Sequence, residues 1–186
     1  MPILGVNVAI ITEGKVLLTK RRDFEVWCLP GGEVDAGESL VQAALREAHE
    51  EVGYTVQLER LVGIHSRPQW LSVGGHIVVF AARITGGELN IQAAEVLEAH
   101  FFSAGELPGE MVLGGKQQAL DALNGVTGAV WTHDSEWNFA SGMTRTELYA
   151  QLEGSCLPPA EFYATRVAKP IPGGDRLEVK GKLDVY

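Results

Sequence analysis

Glu47, Glu50 and Glu51 are the residues of this chain best placed for chemistry. Spaced i, i+3 and i+4, they project from one patch of a helical segment and lean toward its N-terminus. Like charges at this spacing destabilise a helix by roughly 0.2 to 0.5 kcal/mol per pair, so the cluster calls for a compensating cation, of which Arg46 supplies only part. Hard oxygen ligands so arranged suit Mg²⁺ or Mn²⁺, ions that keep several waters and bind through a few carboxylates plus substrate phosphates. Taken alone, the same residues read equally well as a solvated acidic face.

The elements that must position these carboxylates lie on either side. Ser39 followed by Gln42 has the spacing of a capping box and marks a helix start. Leu40, Ala44, Ala48 and Val52 form an apolar stripe on that helix, and Gly53 follows as its C-terminal cap. The glycine-rich stretch from Gly31 leads into it. Gly32, Glu38, Arg46, Glu47, Glu50, Glu51 and Gly53 stand in the order G-x5-E-x7-R-E-U-x-E-E-x-G-U, with U apolar. This order resembles the signature of the Nudix hydrolases. At average residue usage the fixed positions would match by chance in roughly one chain per million of this length, so coincidence is set aside. Ala48 and Tyr54 occupy apolar positions where a larger aliphatic residue is common in that family, and neither touches the chemistry.

The chain's 186 residues fit one domain with an extension better than two full domains. With 46% hydrophobic and 21% charged residues there is material for a core, and 22 glycines imply many turns. A net charge of −9 argues against a broad nucleic-acid-binding surface, which needs Lys and Arg, and leaves a small phosphorylated substrate with metal between as the expected partner. The first residues lack a basic signal-peptide region and no apolar run is long enough to span a bilayer, so no membrane association and a cytoplasmic location are expected. Cys28 and Cys156 have no metal-ligand spacing and are read as structural or incidental.

In chain order, Val6 to Ile10 and Lys15 to Thr19 read as strands joined by a turn at Glu13-Gly14, and Val26 to Leu29 as a short strand delivering the glycine loop. Thr55 to Ile64 and His76 to Ile84 read as strands flanking a loop from His65 to Gly75, Glu88 to Ile91 as a strand returning from a Gly86-Gly87 turn, and Val96 to Ser103 as another. Lys116 to Leu123 reads as a second helix. This order suits an α/β/α sandwich with a mixed sheet, which the resemblance also implies for residues 1–124. Residues 125–186 form an expected extension with a short helix capped by Thr144 and Glu147, and a hairpin from Phe162 to Ala168 and Arg176 to Lys180. Too small to fold alone, it is expected to pack on the domain or on a second subunit, which makes a homodimer a candidate assembly.

The resemblance implies divalent-metal-dependent attack of water on a phosphorus of a nucleoside diphosphate linked to another moiety. It makes Glu47, Glu50 and Glu51 the metal ligands, with the Gly31 carbonyl as a further one. Arg46 orients a neighbouring carboxylate, and Glu38 supports the loop. The general base is a box glutamate or one outside it; Glu95 and Glu98 stand where such an outside residue is often found, and Glu95 is preferred. Pro68, fifteen residues after Gly53, resembles the spacing of ADP-ribose hydrolases. In the same loop Arg67 offers charge for a phosphate and Trp70 a face for a base, as Trp27 also could. Of the basic run Lys20 to Arg22, whose other reading is a solubilising loop, Arg22 is the candidate to reach a phosphate. His65, His76, His100 and His133 are read as structural. A hydrolase of modified nucleoside triphosphates and a non-catalytic nucleotide-binding module are the alternatives.

Overall fold

A computed structural model describes residues 1–183 of the chain, so the last three residues of the expected extension lie outside the described residues. The first part runs β1 (Ile3–Thr12), β2 (Lys15–Arg21), β3 (Trp27–Cys28), β4 (Gly31–Glu33), α1 (Leu40–Val52), β5 (Tyr54–Arg67), β6 (Gly75–Gly87), β7 (Val96–Phe102) and α2 (Gly115–Leu123). Alternation along β1 decides the layering. Val6, Val8 and Ile10 pack with Ala43, Ala44, Ala48 and Val52 of α1, while Ala9 points the other way into a cluster with Ala119 and Ala122 of α2. One helix thus covers each face of the sheet, an α/β/α sandwich.

The sheet is mixed. Residues 3–10 of β1 pair in parallel with β6 from Gly75 to Ala82, Gly5 to Asn7 pair antiparallel to β4, and the end of β1 turns into β2. β5 pairs antiparallel with β6 along its whole length and continues to Arg67, so the expected loop from His65 is confined to residues 68–74. The expected strand from Glu88 to Ile91 is absent because this stretch closes the C-terminus of α1: Asn90 N donates to Val52 O at 3.0 Å, and Gln92 N, just beyond it, donates to Glu51 O at 3.0 Å.

After α2 come β8 (Val126–Thr127), β9 (Ala129–Glu136), α3 (Arg145–Glu153), α4 (Pro159–Phe162), β10 (Lys169–Val179) and β11 (Lys182–Leu183). β9 joins the main sheet, residues 63–66 of β5 pairing in parallel with 129–132, and β10 pairs antiparallel with β9. The expected hairpin does not form. Pro159 at the first turn of α4 starts a helical run that continues as a π turn through Val167, and Lys169 onward finds its partner in β9 rather than in its own chain-neighbour. Phe162, Tyr163 and Leu148 share a cluster with Phe24, Val26, Leu71 and Val112, which seats this segment beside the glycine loop.

Candidate active site

α1 carries the acidic residues and its ends are fixed by local chemistry. Ser39 accepts from Gln42 N, the Gln42 side chain accepts from Ser39 N, and Gly53 closes the helix at φ 75°. The apolar stripe docks on the sheet and turns Glu47 and Glu51 inward, where both are buried. Against them lies β4. Gly31 N donates to Glu51 Oε2 at 3.1 Å. Gly31 sits at φ 154°, and a Cβ there would fall within 3 Å of Val6 O, while a Cβ on Gly32 would land on the Glu47 carboxylate. The two glycines therefore let backbone and carboxylates approach as closely as they do.

Arg46 organises the exposed side of the cluster. Its Nε and Nη2 donate to the two oxygens of Glu38 at 3.0 and 2.9 Å, and Nη1 donates to Glu47 Oε1 at 2.7 Å and Glu50 Oε2 at 3.2 Å. These bonds, those to Glu38 first, raise the guanidinium pKa further and keep it charged. Glu38 thus acts on the carboxylates through Arg46. Burial raises the pKa of Glu47, and burial pushes Glu51 up to about 8 against the opposing Gly31 amide, with the charges of Glu47 and Glu95 adding to the rise.

Two cavities meet at this acidic centre. One, of about 420 Å³, is lined by Gly31, Gly32, Glu47, Glu51, Arg67 and Trp70, with Phe24 and Tyr163 among its apolar walls. The other, of about 350 Å³, is lined by Arg21, Arg22, Asp23 and Tyr149. Arg21, Glu51, Glu95 and Arg145 line both. Arg67 is 9% exposed, burial lowers its pKa, and its Nε has no hydrogen-bond partner. Among the described residues no carboxylate pairs with it.

Of the residues expected from sequence, Gly31, Arg46, Glu47, Glu51, Glu95, Arg67 and Trp70 are brought to the first cavity. Arg22 lines the second, where its Nε donates to Ala93 O at 2.7 Å and its backbone N to Glu95 O at 2.8 Å, tying down the turn that carries Glu95. Glu50 is exposed, borders neither cavity, and has Arg46 as its partner. Trp27 packs against His100 and Phe102 instead of the site. Arg145, Tyr149 and Tyr163 were missed. The first two sit in a short capped helix whose sequence carries no sign of what it faces, and Tyr163 lies in a segment expected to be a strand.

The donor set fits a divalent cation. Glu47 spends one oxygen on Arg46 and Glu51 one on Gly31, which leaves the other oxygen of each without a protein hydrogen bond among the described residues. The charge on these buried carboxylates is only partly balanced. Among the described residues no three acidic, imidazole or thiol groups already close on one point, because Arg46 draws Glu47 and Glu50 to itself.

This fold and this acidic, glycine-lined centre define a Nudix pyrophosphohydrolase: the family model for the NUDIX domain matches residues 1–122, and the chain belongs to that family. Among its relatives is a protein of Bacillus subtilis (strain 168) that bears the provisional name 8-oxo-dGTP diphosphatase, 39% identical over 122 residues, 65% of this chain and 80% of that one. An ADP-ribose pyrophosphatase of Methanocaldococcus jannaschii is 35% identical over 112 residues, 58% of this chain and 65% of the relative. Among solved structures, an ADP-ribose pyrophosphatase from Streptococcus suis superposes with a TM-score of 0.57 at 31% identity, over 66% of this chain and 90% of that one. No helix among the described residues is long and apolar enough to cross a membrane.

Proposed function

We propose that the protein is a cytoplasmic, Mg²⁺-dependent hydrolase of nucleoside diphosphates linked to a second moiety, with ADP-ribose as first choice. The observation that carries this reading is the pair of cavities meeting at Glu51 and Glu95. Each is of the size that holds a small ligand, about 300 to 1,000 Å³. A pyrophosphate seated at the carboxylates would send one substituent into each cavity. The larger offers Trp70 and Tyr163 for a base and the unpaired Arg67 for a phosphate; the smaller, polar one suits a phosphorylated sugar. A nucleoside triphosphate has only one substituent to place.

Glu47, Glu50, Glu51 and the Gly31 carbonyl would hold Mg²⁺ or Mn²⁺, Glu50 being exposed and free to turn once it leaves Arg46. When bound, such an ion neutralises the pyrophosphate oxygens and lowers the pKa of the attacking water. Arg46, locked by Glu38, holds Glu47 in place. Glu95, at the rim of both cavities, takes the proton of the attacking water as general base.

The name of the Bacillus subtilis relative favours a second reading, hydrolysis of oxidised nucleoside triphosphates. Comparing kcat/KM with Mg²⁺ across ADP-ribose, several sugar nucleotides, and normal and oxidised triphosphates separates the two. ADP-ribose is expected to lead the panel. A clear preference for a triphosphate would replace the first reading with the second, and no turnover of anything would leave a nucleotide-binding module.

A further inference from the structure

We infer that Arg145, supplied by the segment beyond the Nudix domain, is a substrate-binding residue that gives up Glu33 to bind the phosphate of the substrate's second moiety. The inference rests on the two-cavity reading above and extends it to residues the family domain does not contain, since the domain match ends at residue 122.

α3 is held over the site by few contacts. Leu148 is its one buried residue among those described, sitting in the cluster that includes Phe24. Tyr149 packs its ring against Phe24 at 5.8 Å between centroids and donates from its hydroxyl to Asp23 Oδ2 at 3.0 Å. These two residues seat the helix so that Arg145, at its first position, stands where the two cavities join.

The guanidinium groups around this junction differ in how firmly they are engaged. Arg21 is forked onto Asp23, Nε to Oδ1 at 2.9 Å and Nη2 to Oδ2 at 2.5 Å, and although burial works against its charge that pair holds its pKa high. Arg22 is fixed by a backbone carbonyl. Arg145 has Glu33 as its partner, and both side chains are about half exposed, 45% and 50%. An exposed ion pair of this kind is held weakly and screened by salt. A phosphate offers the guanidinium a two-bond fork and more charge in place of its single contact with Glu33, so exchange of Glu33 for phosphate is favoured once substrate arrives. Glu33 itself directly follows the glycines that contact Glu47 and Glu51. The resting pair thus parks Arg145 beside the scissile position.

The test uses the full chain with Mg²⁺ and compares Arg145→Ala, Arg145→Lys and Glu33→Gln with wild type on ADP-ribose, wild type being assayed also on an oxidised nucleoside triphosphate. Loss of a charged hydrogen-bond partner should raise KM for ADP-ribose roughly ten- to hundred-fold in Arg145→Ala, with kcat within about three-fold of wild type. Arg145→Lys should recover part of the loss. Glu33→Gln is the decisive control, because it breaks the same ion pair yet frees the guanidinium: KM for ADP-ribose should hold or fall. If Glu33→Gln reproduces the Arg145→Ala defect, the pair merely holds the loop and the inference is overturned. Normal ADP-ribose KM in Arg145→Ala overturns it as well, while leaving the two-cavity reading intact. A wild-type enzyme that turns over only triphosphates removes both.

Discussion

Arg67 joins function and stability in a way that can be measured on each side. Its guanidinium is 9% exposed, borders the larger cavity, and among the described residues has no carboxylate to pair with. A buried charge without a partner costs folding free energy; even buried ion pairs, when replaced by apolar residues of similar volume, often leave stability unchanged or raise it by about 1 to 4 kcal/mol. Arg67→Met keeps the length of the side chain and removes the charge. Because one side of Arg67 faces a cavity that water can enter, a value near the lower end, about 2 kcal/mol, applies. In a domain of this size each kcal/mol moves Tm by about 2 to 4 °C, so the ligand-free variant should melt about 4 to 8 °C higher than wild type. With substrate the sign reverses. A charged hydrogen bond to phosphate is worth about 1.5 to 3 kcal/mol, and kcat/KM for ADP-ribose should fall about ten- to hundred-fold. Scanning calorimetry without ligand and steady-state kinetics with Mg²⁺ read the two effects. A lower Tm together with unchanged kcat/KM would instead make Arg67 a packing residue.

Glu50→Gln and Glu51→Gln should each depress turnover by several orders of magnitude in a folded protein, as should removal of divalent metal by chelator; near-normal turnover in either variant sinks its assignment as a ligand. Gly32→Ala places a methyl on the Glu47 carboxylate, a side-chain end that can shift, so turnover should fall by roughly 10²-fold with Tm little changed. Gly31→Ala meets the Val6 backbone from a glycine-favoured φ and should destabilise by about 1 to 3 kcal/mol; equal Tm values for the two variants would contradict this contrast. A histidine pair lies where β9 and β10 join the domain. His65 Nδ1 lies 2.9 Å from His133 Nε2, whose Nδ1 meets Asp175 at 2.7 Å, with Arg67 and Asp121 also acting on the pair. Burial, then the neighbouring His133, holds His65 down to about 3, so below pH 6.5 the unfolded chain takes up a proton that the folded chain refuses. Stability from this source is full above pH 6.5 and falls on acidification, by about 2 kcal/mol at pH 5. His65→Gln should flatten Tm against pH between 7 and 5; parallel curves for variant and wild type would rule the histidine out.

How much was legible in advance follows the range of the interactions. α1 was, to its caps, because Ser39, Gln42 and Gly53 act within one turn of the chain and its stripe repeats on the helical period. The alternation of β1 was legible for the same reason. Glu88 to Ile91 misled because nothing local reveals that Asn90 and Gln92 would bond to the end of α1. The segment from Phe162 to Lys180 misled because β10 pairs with β9, whose strands were unmarked, and because Pro159 starts a helix. At the site, the clustering of Glu47 and Glu51 follows from helical spacing, while the role of Arg46 is what the resemblance to the Nudix signature implies. The inward turn of those two and the outward turn of Glu50 depend on how α1 rolls against β4, which spacing alone does not set. Arg145 and Tyr149 reach the cavities across contacts of 112 and 126 residues, beyond any local signal.

Attack of water on a diphosphate bridge flanked by two substituents is the reaction that the paired cavities support. Incubating the full chain with ADP-ribose and Mg²⁺ in ¹⁸O-labelled water, and identifying the products by mass spectrometry, tests it most directly. AMP and ribose 5-phosphate are expected, with one labelled oxygen on one of the two phosphates and no products when the metal is chelated. Intact ADP-ribose alongside rapid conversion of a nucleoside triphosphate to monophosphate and pyrophosphate would contradict it.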